Sequence, residues 1–237
     1  MMAALAVGMA KGGFSMVGMI SVPLMSLTMS PVMAAGILLP VYIVSDIGGL
    51  IAFRRSFDRR VLATLLPGAV TGIGLGWATA HLVDEMAVML IVGVIGAIFA
   101  LNALVRPQIR GGRGPRWGAG SFWGGLAGYT SFVSHSGAPP FQIYVQPMLL
   151  PSQSYAGTTT VFFAIVNAVK LIPYGFLGQL NSANLRVSAV LFLPAVIGVL
   201  LGLKLLQVIP QTVFYKFITW ALLIVSARLI WIGWLAL

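Results

Sequence analysis

Long apolar runs, each about as long as a bilayer core is thick and separated by short stretches of charge, Gly or Pro, organise the whole of this chain. A spanning helix needs about 20 apolar residues. On that measure eight segments are predicted, at approximately residues 1–28, 31–53, 61–80, 86–105, 118–150, 153–177, 187–206 and 211–236. A membrane β-barrel would instead show alternating stretches of about 10 residues. The pattern predicts an all-α integral membrane protein, a bundle of helices.

Two of the eight segments are interrupted. Segment 1 is broken by Gly12 and Gly13 within KGGFSMVG, and segment 5 by SHSGAPP from Ser134 to Pro140. Gly weakens a helix by about 1 kcal/mol relative to Ala, and Pro removes a backbone donor and clashes with the preceding turn. Backbone groups freed inside hydrocarbon need protein partners or a wet cavity, so both breaks predict polar, protein-lined space. Segments 1 and 5 either cross with a break or re-enter as hairpins, and the basic residues do not decide between the two. Full crossings put the eight loop arginines and Arg186 on the cytoplasmic side; hairpins put the same eight there with Lys204 and Lys216.

The first four segments resemble the last four in order. Val17-Gly18 corresponds to Ser136-Gly137, Ala35-Gly36 to Ala156-Gly157, and Asp46 to Asn167. Leu66-Pro67 corresponds to Leu193-Pro194, and Gly72 and Gly76 to Gly198 and Gly202. A common order of matches argues for a duplicated half: residues 1–105 form one repeat, 118–237 the other, and the Gly- and Arg-rich stretch 106–117 joins them. Repeats with discontinuous helices are a recurrent plan in secondary transporters, with the substrate near the midplane between the repeats.

Composition agrees with this class and removes others. Of 237 residues, 59% are hydrophobic and 8% charged, against about 25% charged in soluble domains. The net charge of +10 does not signal a nucleic-acid partner, because Arg54, Arg55, Arg59 and Arg60 fill one short loop and Arg106, Arg110, Arg113 and Arg116 another. Arginine in short loops between apolar spans is the positive-inside pattern and predicts both loops, 54–60 and 106–117, to be cytoplasmic. Arg228, near Trp234, reads as an interfacial anchor. Cysteine is absent, which removes thiolate chemistry and disulfides. Two histidines and four acidic residues offer no metal site, and no cofactor is expected. The apolar start has neither a basic n-region nor a small-residue cleavage site and reads as mature protein.

Ionised side chains deep in a bilayer cost about 2.5–3.5 kcal/mol each on insertion scales, so each suggests a function. The candidates are Lys11, Asp46, His135 and Lys170. Ten residues of helix before Lys11 span about 15 Å, half the hydrocarbon thickness, which brings Lys11 to midplane depth. Two lysines against one aspartate favour an anion, and free N–H groups at the breaks would favour it further. Hydroxyl and amide donors for an oxyanion include Ser15, Ser131, Ser134, Ser136, Gln142, Tyr144, Thr158 and Thr159. Simpler roles compete: Lys11 can snorkel to an interface, Asp46 can be the structural partner of Lys170 or another cation, and His135 can bond the loosened backbone. Two other classes compete as well. A passive anion channel would use the same donors. An intramembrane hydrolase built on Ser134 or Ser136 with His135 needs a nucleophile and base in contact, which adjacent residues rarely provide.

The motifs GMAKGGFSMVGMISVPLM from Gly8 to Met25 and SHSGAPPFQIYVQP from Ser134 to Pro147 resemble the TauE/SafE group of sulfite exporters, also called the 4-toluene sulfonate uptake permease family. Lys11 and Phe14 stand at positions often Gly-rich in that family, and GAPP stands where GGPP is common. The resemblance implies a multi-pass protein of the bacterial inner membrane, not an enzyme, that moves a small sulfur-containing anion such as sulfite, a sulfonate or thiosulfate. The expected site has Lys11 as counter-charge and Gly12, Gly13, Ser15, Ser134, His135, Ser136, Gly137 and Gln142 around the anion. Asp46, Asn167 and Lys170 would flank it or couple transport to a proton or cation, and alternating access would come from one half rocking against the other. Direction, coupling ion and oligomeric state stay open at this point.

Overall fold

The computed structural model describes residues 1–19, 21–25, 28–29, 31–80, 82, 90, 93–94, 96–98, 100–101, 104–105 and 114–235. The regular elements among them are helices. They are α1 (Met2–Lys11), α2 (Ser15–Gly18), α3 (Ser21–Met25), α4 (Pro31–Phe53), α5 (Arg59–Ala78), α6 (Trp117–Ser134), α7 (Ala138–Val145), a 3-10 turn (Gln146–Met148), α8 (Ser152–Phe176), α9 (Ser182–Val208) and α10 (Gln211–Leu235). Among the described residues four helices, from α4, α5, α8 and α9, are long and apolar enough to cross a membrane. Half of segment 4 lies outside the described residues, as do His81 and 106–113 of the basic linker; the described residues between 90 and 105 are helical.

Two compact units form, and each draws on both ends of the chain: Met1–Asp58 with Gln153–Ile209, and Arg59–Ser152 with Pro210–Leu237. In the first, segment 1 becomes three short helices that double back. The chain turns at Gly12–Phe14, Gly18 comes beside Ala10, and Ser21 Oγ donates to the Ala3 carbonyl at 2.9 Å. Gly13 makes the turn with φ +123°, a backbone conformation for which only glycine is suited. Tyr42 of α4 donates its hydroxyl to the Gly18 carbonyl at 3.1 Å and holds the returning limb of the hairpin. The hairpin's first helix packs on α9 through glycines that face each other. A Cβ on Gly8 would lie 1.9 Å from the Ala195 carbonyl oxygen, and one on Gly198 would lie 2.3 Å from that of Leu5. Gly12 and Gly202 meet in the same way one turn along. Small residues spaced by four let helix backbones touch, which is how helices associate where lipid removes the hydrophobic drive.

The second unit also contains a doubled-back segment. Segment 5 is α6, a turn at His135–Gly137 and then α7, which packs back on α6. Tyr144 near the end of α7 accepts from the Arg116 N–H at 2.9 Å and lies 3.0 Å from the Arg116 carbonyl, next to the start of α6. Its hydroxyl also meets Thr64 Oγ1 of α5 at 3.1 Å. The seam between α5 and α6 is again glycine on backbone: Gly68 against Ser121, Gly72 against Gly125, Gly124 against Leu65 and Gly128 against Ala69.

The break in segment 5 is shorter than the sequence suggests. Pro139 and Pro140 lie in the first turn of α7, where a missing N–H costs nothing because those amides lack helical partners anyway. His135 takes the left-handed conformation (φ 54°) at the end of α6, and this residue turns the chain. The last predicted boundary to move is that of segment 7. It begins at Ser182, five residues earlier than expected, because Asn181 caps α9 by accepting from the Asn184 N–H at 2.9 Å.

Candidate functional site

Lys11 ends α1, and the ammonium group turns inward. Its Nζ lies 2.8 Å from Asp46 Oδ1 of α4. Asn167 of α8 donates Nδ2 to the other carboxylate oxygen, Oδ2, at 2.9 Å. All three side chains are buried, Lys11 at 5%, Asp46 at 3% and Asn167 at 4% exposure. Two rings complete the surroundings of the ammonium, Tyr42 at 5.2 Å and Phe163 at 5.8 Å from Nζ to ring centroid. A cation over aromatic faces keeps part of its stabilisation without water. At the backbone, Thr160 Oγ1 donates to the Lys11 carbonyl at 3.2 Å. Lys170, one helical turn beyond Asn167 on α8, is buried as well, with its Nζ 5.6 Å from the Tyr174 ring centroid.

The sequence weighed Asp46 as a partner of Lys170 or another cation, and the ion pair is with Lys11. Snorkelling does not describe Lys11, whose buried ammonium is matched by a carboxylate and not by an interface. The expectation of free N–H groups at the first break is corrected. Gly12 donates to the Gly8 carbonyl, Gly13 to that of Ala10 and Phe14 to that of Met9. The N–H groups of Gly12, Gly13 and Phe14 are therefore taken up within the turn. Gly12 and Gly13 serve the turn and the seam with α9, and Ser15 begins α2, half-buried.

The other expected donors belong to the second unit. Ser134 is the last residue of α6. His135 is buried, with Nδ1 3.1 Å from the Ser131 carbonyl oxygen, and its N–H donates to the same carbonyl. Ser136 donates its N–H to the Thr130 carbonyl, and Thr130 Oγ1 donates back to the Ser136 carbonyl at 3.2 Å. Gly137 caps α7, and Gln142 on α7 is fully buried. Gln146, one turn beyond Gln142, donates to Thr219 Oγ1 of α10 at 2.5 Å. That pair was not anticipated, and neither were Tyr42 and Phe163. No group of three or more metal-ligating side chains occurs among the described residues.

Apolar helices of spanning length, two doubled-back segments and a buried lysine–aspartate pair define a multi-pass membrane protein with a charged interior. The chain belongs to the sulfite exporter TauE/SafE family, whose family model matches residues 1–229. That is a family of transporters of sulfite and related sulfur anions. No curated protein and no solved structure matches the chain.

Proposed function

We propose that this protein is a secondary transporter, in the export direction, of a small sulfur-containing anion such as sulfite or an organosulfonate, with Lys11 as the residue that binds its charge. The Lys11–Asp46 pair carries the reading, because a buried ammonium at the tip of a doubled-back helix is costly unless it has a function. The simplest alternative, a lysine reaching for the membrane surface, does not account for the carboxylate beside it.

The repeat belongs to the proposal too. Asp46 and Asn167 correspond under the duplication and touch each other, as residues on a two-fold axis do. Both broken segments double back, so an inverted repeat of eight segments is the economical topology. With each hairpin entering and leaving on one side, the stretches 54–60 and 106–117 fall on the same side of the membrane, in agreement with a cytoplasmic location for both.

Thermal unfolding of the purified protein with a panel of sulfite, thiosulfate and organosulfonates tests the reading. A ligand at about 100 times its Kd is expected to add about 2.7 kcal/mol of stability, and Lys11→Met to remove that gain. Equal stabilisation of wild type and variant would exclude Lys11 from the site.

A further inference from the structure

We propose that Asp46 occupies the anion's place on Lys11 in the empty carrier, and that it takes up one proton when the substrate displaces it, so that anion and proton cross together. This rests on the reading of Lys11 as the anion's counter-charge.

Around the Lys11 ammonium stand two aromatic rings and one carboxylate, and Asp46 Oδ1 is at the 2.8 Å distance that a substrate oxygen would take. An anion that takes the position of Asp46 Oδ1 displaces the carboxylate from the ammonium donor it holds. A carboxylate displaced from its ion pair in a poorly hydrated site favours its neutral form. The groups that face Asp46 are Lys11 of α1, Asn167 and Lys170 of α8, and Tyr42 of its own helix. Lys170 is a second cation able to receive the released carboxylate. Its ammonium, however, lies over Tyr174, one turn ahead on α8, whereas Asn167 holds Asp46 one turn behind. Asn167 donates to Oδ2 whether the carboxyl group is ionised or neutral, so it keeps Asp46 in place through the exchange.

In that step Lys11 retains its proton, and its hydrogen bond moves from Asp46 Oδ1 to the substrate. Asp46 Oδ1 gains a proton from the water on the open side and returns it on the other side when the anion leaves. A monovalent anion then crosses without net charge. A divalent one carries one net negative charge, and an inside-negative membrane potential drives that charge outward, as export requires.

Sulfite binding to the purified full-length protein, measured by calorimetry across neutral pH for wild type and Asp46→Asn, tests the proposal. Sulfite's own protonation affects both proteins alike, so the ratio of their affinities isolates Asp46. Wild-type affinity is expected to fall relative to the variant by up to about tenfold per pH unit as pH rises, because binding consumes a proton. If Asp46→Asn does not fold, binding heats of the wild type in two buffers of different ionisation enthalpy report the proton directly. Uptake beyond sulfite's own supports the proposal, and no such uptake overturns it. A ratio independent of pH, with binding lost in Lys11→Met, overturns the proton step and leaves the anion site. Binding unchanged in Lys11→Met, or no sulfite binding by the wild type, overturns both.

Discussion

Lys11→Met is expected to abolish sulfite flux through the purified protein in liposomes while the protein remains folded. Removing one member of a desolvated, hydrogen-bonded charge pair typically costs a complex about 2–5 kcal/mol. At about 1.4 kcal/mol per tenfold, this is roughly a 30- to several-thousand-fold loss of transport efficiency. The fold should tolerate the change, since methionine fills a similar volume and the contact of Thr160 is with the Lys11 backbone carbonyl. Asp46 keeps its bond from Asn167 and can become neutral. Initial rates of radiolabelled sulfite uptake, beside a size-exclusion profile, make the comparison. Flux at the wild-type rate would mean that the ion pair is structural.

The second large effect concerns glycine. Gly68→Ala and Gly198→Ala are each expected to lower thermal stability strongly, because the added methyl carbon would lie 1.9 Å from the Ser121 carbonyl oxygen and 2.3 Å from that of Leu5. Overpacking costs about 1–3 kcal/mol where side chains can move aside. Here the obstacle is backbone, so helices must separate, and the expected cost is at or above the top of that range. Gly74→Ala is the control. Its site is open, with nothing within 4 Å, and alanine in a helix gains about 1 kcal/mol over glycine. Unfolding temperatures in one detergent should rank Gly74→Ala at or above wild type, with the two seam variants well below. Equal stability for all three would refute the seams.

What the sequence revealed follows from the range of each interaction. A helix break is local, so Gly12-Gly13 and the stretch around His135 were readable from residue types, although the prolines of GAPP proved to start α7. A lone lysine in an apolar segment was conspicuous for the same reason. Its partner was not, since Asp46 is far along the chain and Lys170 had an equal claim. The expected correspondence between the two halves supplied one long-range link, because it set Asp46 against Asn167, and these two side chains are hydrogen-bonded. Tyr42 and Phe163 were invisible: an aromatic residue in an apolar run carries no mark of facing a cation. Gly72, Gly198 and Gly202 stood out in the sequence only as matched positions, and that they form glycine seams, and with which helix, depends on how the chain is threaded. That threading also joins residues 1–58 with 153–209 in one compact unit, an association to which no run of neighbouring residues points.

The most direct test of the account asks where a substrate-like oxyanion rests. Selenite has the shape and charge of sulfite, and its heavier atom gives an anomalous signal in diffraction from crystals of the protein. The account predicts a selenium peak with an oxygen within about 4 Å of Lys11 Nζ and the Asp46 carboxyl group displaced from it. A well-occupied peak elsewhere, with Lys11 and Asp46 still paired, would contradict it.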